Sequence, residues 1–293
     1  MDDIITSAAT MEAAPKENDF DKEAWAAAKQ AERSGLYEKA DAVASIVAKD
    51  PVVLKDYLTT VSRFPSYSVN NTLLIFEQNR DATRVGDYEF WSKKGAQVKR
   101  DEKGIAIFEP GAPYERDDGS IGTSYNVKKV FDISQTTTRA KQPKEPDMRL
   151  LLTALVTKSN FEIIKVAELP EGINSLYDKA TKTIKVRDDL GAGELFKALA
   201  VSMAEGYLSR QGEGASPQSN KNSARMVAFV ISERYGVPTE NFRPALVGLT
   251  EGAEPADIKK ELSRVQGVVK DVSSRMAENI REAKAPRESS MER

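Results

Sequence analysis

The hydrophobic period of this chain changes just after Gln78, and a chain with that change has to build both helix and sheet. Before the change, Pro65 is a stop and Ser68 an N-cap. Leu73, Leu74, Ile75 and Phe76 follow as a short helix pressed on a core. After it, Ala96–Arg100 and Gly104–Glu109 read as two strands. The joint, Asp101-Glu102-Lys103-Gly104, is a hairpin signal in which Gly can take positive φ. A third strand, Tyr125–Asp132, follows a polar turn centred on Asp117-Asp118-Gly119.

The order of residues in this stretch resembles the N-terminal domain of the ArdC antirestriction family. The family's pattern falls on Tyr67, Ser68, Asn71, Leu73 to Ile75, Gln78, Ala82-Thr83, Trp91 and Gly95. It continues through Lys99, Glu102 to Ile105, Pro110 and the run Val130-Phe131-Asp132-Ile133-Ser134-Gln135-Thr136. One departure is Ala96, where the family has a basic residue after the Gly. The resemblance implies a protein carried by a plasmid, phage or conjugative element. It also implies a domain that binds single-stranded DNA and so shields incoming DNA from restriction. Such binding is expected to be largely independent of sequence and sensitive to salt.

Composition narrows the chemistry. The 293 residues fit about two domains. The net charge is −2, so any contact with nucleic acid has to come from a local patch. There is no Cys, which excludes disulfides and thiolate chemistry. There is no His, which removes the commonest general base and the commonest zinc ligand. No cofactor is expected. No apolar run approaches the ~20 residues of a membrane span. Met1-Asp2-Asp3 is acidic, unlike the basic start of a signal peptide. A cytoplasmic protein without membrane contact is the expectation.

The fold class expected is α+β, with a helical N-terminal extension, a small α+β DNA-binding domain and then a second α+β domain. Residues 1–18 are small, polar and aperiodic, as in a disordered tail. Residues 19–136 form the first domain with its extension. Phe20–Ser34 reads as a helix broken by Gly35; Tyr37–Ala48 and Val52–Arg63 read as two more, separated by Asp50-Pro51. Residues 137–147, rich in Pro and Lys, are the expected linker. Residues 148–282 follow: helix Met148–Lys158, strand Phe161–Val166, hairpin Ser175–Arg187, helices Glu194–Arg210 and Asn222–Tyr235, with the loop Gln211–Lys221 between them. The last helix, Asp257–Ile280, carries a stripe from Ile258 through Leu262, Val265, Val269, Val272 and Met276 to Ile280, suited to a core or to a protein partner. Residues 283–293 are charged and expected to fray.

That second half resembles the zincin-like metallopeptidase domain that often follows the ArdC-type domain. There a helix carries two His at i and i+4 with a Glu base between them. The resemblance places Val201 at the first His, Ser202 at the base, Glu205 at the second His and Arg225 at a third, carboxylate ligand. Val binds no metal, and Arg brings positive charge to the cation's place. The expectation is a peptidase-like domain without metal or catalysis. Glu205 and Arg225 either pair in the vacated site or face solvent on adjacent helices.

For nucleic acid, the candidates are Arg84, Lys93, Lys94, Lys99, Arg100 and Lys103 around Trp91, with Asn71 and Gln78 one helical face apart. Cations that follow phosphates beside flat side chains that stack on bases suit single strands. The other reading is a solvated hairpin, with Trp91 in the core and Asn71 bracing the backbone around Tyr67-Ser68. The rival function is a protein-interaction module in which the peptidase-like domain and the last helix dock a partner. A lesser rival is an enzyme that uses carboxylates and a borrowed metal.

Overall fold

A computed structural model describes residues 21–139, 145–210, 217–244 and 252–285. The expected tail 1–18, residues 140–144 of the expected linker, residues 211–216 of the Gly/Ser/Asn loop and residues 286–293 lie outside them. The class is α+β, and each of its two small sheets has three strands.

Helix α1, Lys22–Lys49, is capped by the Asp21 carboxylate, which accepts from the Glu23 and Ala24 N–H groups. It runs straight through Gly35, against expectation. A helical Gly costs about 1 kcal/mol relative to Ala. The turns after it bury Leu36, Ala40, Val43, Ala44 and Val47. Each large apolar side chain there is worth about 1.5–3 kcal/mol, so burial wins. Asp50 ends α1 and caps α2, Pro51–Arg63, by accepting from Val52 and Val53. Pro51 fits the first turn, where its missing N–H has no partner to lose. Helix α3, Val69–Gln78, is capped by the Ser68 hydroxyl and buried from Asn71 to Phe76. Gln266 donates to the Tyr57 and Thr72 hydroxyls, which joins α2 and α3 to the last helix inside the core.

The first sheet has the order β1-β3-β2: Val85–Gly86, Ile121–Asp132 and Ile105–Glu115. A six-residue helix α4, Tyr88–Lys93, follows β1 and is capped by Asp87. The hairpin is β2–β3, turning at Gly119 with φ 80°, with a register shift between Pro110 and Pro113. The polar turn at 117–119 is therefore where expected, but the hairpin at 101–104 is not. Ala96–Arg100 is a loop that meets residues 135–137 through an isolated bridge, Val98 to Thr136. Only Ala96 in it is buried, too little apolar surface to hold a strand on the sheet.

Helix α5, Met148–Val156, leads to a second sheet of order β4-β6-β5: Glu162–Val166, Thr183–Arg187 and Ser175–Asp178. β4 and β6 are parallel, and β5–β6 is the expected hairpin. Helix α6, Ala192–Leu208, packs on it, and α7, Pro217–Arg234, packs on α6, α2 and the last helix. Gly236, with φ 72°, ends α7, and the Val237 N–H returns to the Ser232 carbonyl. In α8, Pro255–Lys284, the stripe from Ile258 to Met276 is buried in the protein's own core, so it offers no docking face. That core takes residues from α1, α2, α3 and all four helices after residue 147, and it does not divide at the expected linker. No helix of the described residues is long and apolar enough to cross a membrane.

Candidate nucleic-acid interface

The run Val130–Thr136 is a clamp. Asp132 is 1% exposed. Its Oδ1 accepts from the Thr83 and Arg84 N–H groups at 2.7 and 2.9 Å, and its Oδ2 from Ser134 at 2.9 Å. Burial works to raise the carboxyl, but the Arg84, Ser134 and Thr83 donors outweigh it and hold the pKa below the ordinary value. Gln135 closes a capping box on Asp132 and donates to Glu102 and to the Lys103 carbonyl. The Trp91 indole N–H donates to the Phe131 carbonyl at 2.9 Å. Trp91 is 1% exposed, so of its two readings the core one holds.

The clamp fixes the rim of a cleft of about 580 Å³. Its walls are Thr83, Arg84, Trp91, Lys94, Ile133, Thr138 and Arg139. Three cations face this space, and no carboxylate lines it. None of the three has an ion pair among the described residues. Arg84 lies over the Phe90 ring, 5.7 Å from its centroid. Arg139, at the edge of the described chain, reads from sequence only as part of a linker; its place on the cleft comes from the long-range bonds between 97–99 and 135–137.

The other expected cations lie elsewhere. Lys93 pairs with Glu89 at 2.6 Å. Lys99 donates to the Ser134 carbonyl. Arg100 lies beside Asp101 at 3.9 Å, both exposed, and Lys103 is exposed near them. Asn71 and Gln78 have a structural role. β2 has a free edge, and Asn71 donates to the Phe108 carbonyl and accepts from the Phe108 N–H, both at 2.8 Å. Gln78 does the same for Ala106 at 2.9 Å. Two amides at i and i+7 on α3 thus pair with alternate residues of the strand, as a neighbouring strand would. They do not face the cleft, and Asn71 braces Phe108 rather than the Tyr67-Ser68 loop.

At the peptidase-like positions, Val201 and Arg225 line one groove of about 250 Å³, with Ser175, Ala198 and Phe242 among its walls. Ser202 is buried and shares a 2.7 Å hydrogen bond with Ser175, which donates to the Ala198 carbonyl. The expected Glu205–Arg225 pair is absent. Glu205 is half-buried; burial raises its pKa, and the charge that opposes this is Lys221. Arg225 is exposed and has no ion pair among the described residues. The reason is register: Val201 lies by Arg225 and Glu205 by Lys221, one turn along each helix, as antiparallel packing requires. Among the described residues no three His, Cys, Asp or Glu side chains come together to hold a metal ion.

Residues 48–154 match the family model of the N-terminal domain of anti-restriction factor ArdC. Over this segment the chain is similar to an ArdC N-terminal domain. The matched segment runs from the last two residues of α1 into α5 and contains the clamp and the cleft walls. The chain is also similar to two solved structures of the antirestriction ArdC protein from plasmid R388. The metal-free one is 16% identical, covering 74% of this chain and 86% of the other, with a TM-score of 0.48. The Mn(II)-bound one is 15% identical, covering 73% and 85%, with a TM-score of 0.49. No curated protein matches the sequence.

Proposed function

We propose that this protein binds single-stranded DNA as an antirestriction-like factor of a mobile element, and that its ArdC N-terminal domain holds the phosphates. The observation that carries this reading is the cleft of Arg84, Lys94 and Arg139, three cations without a carboxylate among the lining residues, on a chain of net charge −2. Local cation convergence is the footprint of phosphate binding when the whole chain is not basic. The protein works in the cytoplasm, where incoming strands meet restriction enzymes.

The second half is a peptidase-like domain without catalysis. Val201 and Ser202 offer neither ligand nor base, and the positive charge that acts on Glu205 is the Lys221 ammonium. The protein-interaction reading loses the last helix, whose apolar face is packed inside, and retains the groove beside Arg225.

A fluorescence titration with an oligothymidine at two salt concentrations tests the function. Binding that weakens steeply with salt supports it. No binding at low salt overturns it in favour of the interaction module.

A further inference from the structure

A second cavity, of about 450 Å³, lies on the other side of α4. Phe90 lines this pocket, while Trp91 and Lys94 line the cationic cleft. Arg84 of the cleft lies over the Phe90 ring. The short helix is thus a ridge between two sites of different chemistry.

The pocket is aromatic on several sides, with Tyr67, Phe90, Phe108 and Tyr125 in its lining. Phe108 is held rigid: Tyr37 stacks on its ring at 4.3 Å, and Asn71 fixes its backbone. Tyr125 is 40% exposed. Set among these rings is one charged group of three. Lys128 lies 2.7 Å from Asp87 and 3.1 Å from Glu109. Hydrogen bonds to Asp87 and Glu109 push the Lys128 ammonium up to about 12, so it is a permanent donor. Both Asp87 oxygens are occupied, one by Lys128 and one by the Phe90 N–H. The third ammonium proton has no partner among the described residues. The second Glu109 oxygen has no hydrogen-bond partner among the described residues.

Two carboxylates against one ammonium give the pocket a net negative charge. That repels a phosphate. It suits a flat, neutral ring with a donor and an acceptor side by side on one edge. Every nucleobase has such an edge, and in a duplex that edge is occupied by the opposite base. We propose that this pocket takes one unpaired nucleobase, splayed out of a strand whose phosphates lie in the cleft across α4, and that Lys128 and Glu109 contact its Watson–Crick edge. The proposal rests on the DNA-binding reading and adds the source of its preference for single strands.

The test uses an oligothymidine with one 2-aminopurine, whose fluorescence is quenched on stacking, and three proteins: wild type, Tyr125→Leu and Lys128→Met. Wild type quenches the reporter and prefers this strand to its duplex. Tyr125→Leu binds about tenfold more weakly with little quenching, as loss of one stacked base predicts. Lys128→Met also weakens binding, with an unchanged salt slope, because it touches a base and not a phosphate. A slope that falls by about 0.7 in Lys128→Met would place a phosphate there and overturn the proposal. So would quenching equal in all three proteins. If wild type binds no oligonucleotide, the DNA reading fails separately, and free 2-aminopurine deoxyriboside then tests the pocket alone. Quenching by wild type and not by Tyr125→Leu upholds the pocket; no quenching by either overturns it.

Discussion

Replacing Asp132 tests the clamp that positions the cleft. Its carboxylate accepts three backbone N–H bonds, from Thr83, Arg84 and Ser134, in a site that is 1% exposed. Asp132→Asn keeps one acceptor oxygen. With that oxygen toward Thr83 and Arg84, the new amide N–H₂ faces the Ser134 N–H, donor against donor. An unsatisfied buried donor costs about 1–3 kcal/mol, and the remaining bonds lose their charged acceptor. We expect Asp132→Asn to cost about 2–4 kcal/mol and Asp132→Ala about 3–5 kcal/mol. Urea melts at neutral pH measure both. The pH dependence has a fixed sign. The folded pKa is depressed, so the unfolded chain binds more protons in the acid range and stability falls as pH falls. The contribution is complete above the ordinary carboxylate value of 3.8 and is lost below it, as pH falls through the folded value. The gap between wild type and Asp132→Ala therefore narrows from about pH 4 downward. A cost of Asp132→Asn within 0.5 kcal/mol of zero would refute the clamp.

Three further outcomes follow from the geometry. Gly35→Ala should stabilise the protein by about 0.5–1 kcal/mol in thermal or urea melts, because a Cβ there meets nothing within 4 Å and α1 is continuous. Asn71→Ala and Gln78→Ala should each cost about 2–3 kcal/mol by leaving Phe108 or Ala106 unpaired, with no change in the salt slope of DNA binding; a changed slope would return these amides to the interface. Glu205→Gln and Arg225→Met should be additive within about 0.5 kcal/mol in urea melts, since the side chains do not meet; a larger coupling would restore the pair.

Much of the fold is legible where apolar spacing is long and local. The stripe of α8, the run Leu73–Phe76, the turn at Gly119 and the β5–β6 hairpin all follow from residues close in sequence. Helix α4 has six residues and β1 two, both shorter than any period can declare. The misplaced hairpin at 101–104 shows the limit of turn chemistry: Asp101 does take φ 62°, yet the strand before it has too little apolar surface to pair. The candidate site was legible in part. Arg84 and Lys94 stand in the basic cluster, but Arg139 joins them only through the Val98–Thr136 bridge. The spacing of Asn71 and Gln78 was visible, and their partner was not, because a strand edge is a long-range object. The Glu205–Arg225 pairing failed for a similar reason. Two residues can fall on facing helices at one site and still be a turn out of register.

The central claim is that phosphates lie on Arg84, Lys94 and Arg139, and the salt dependence of oligothymidine binding tests it most directly. Measured across a salt series, the variant Arg84→Gln/Lys94→Gln/Arg139→Gln should lose affinity and show a slope shallower by about 2, at roughly 0.7 for each lost contact with a single strand. The matched variant Lys93→Gln/Arg100→Gln, whose cations lie outside the cleft beside Glu89 and Asp101, should keep the wild-type slope. A wild-type slope in the triple variant, or an equal drop in both, would contradict the assignment of the cleft.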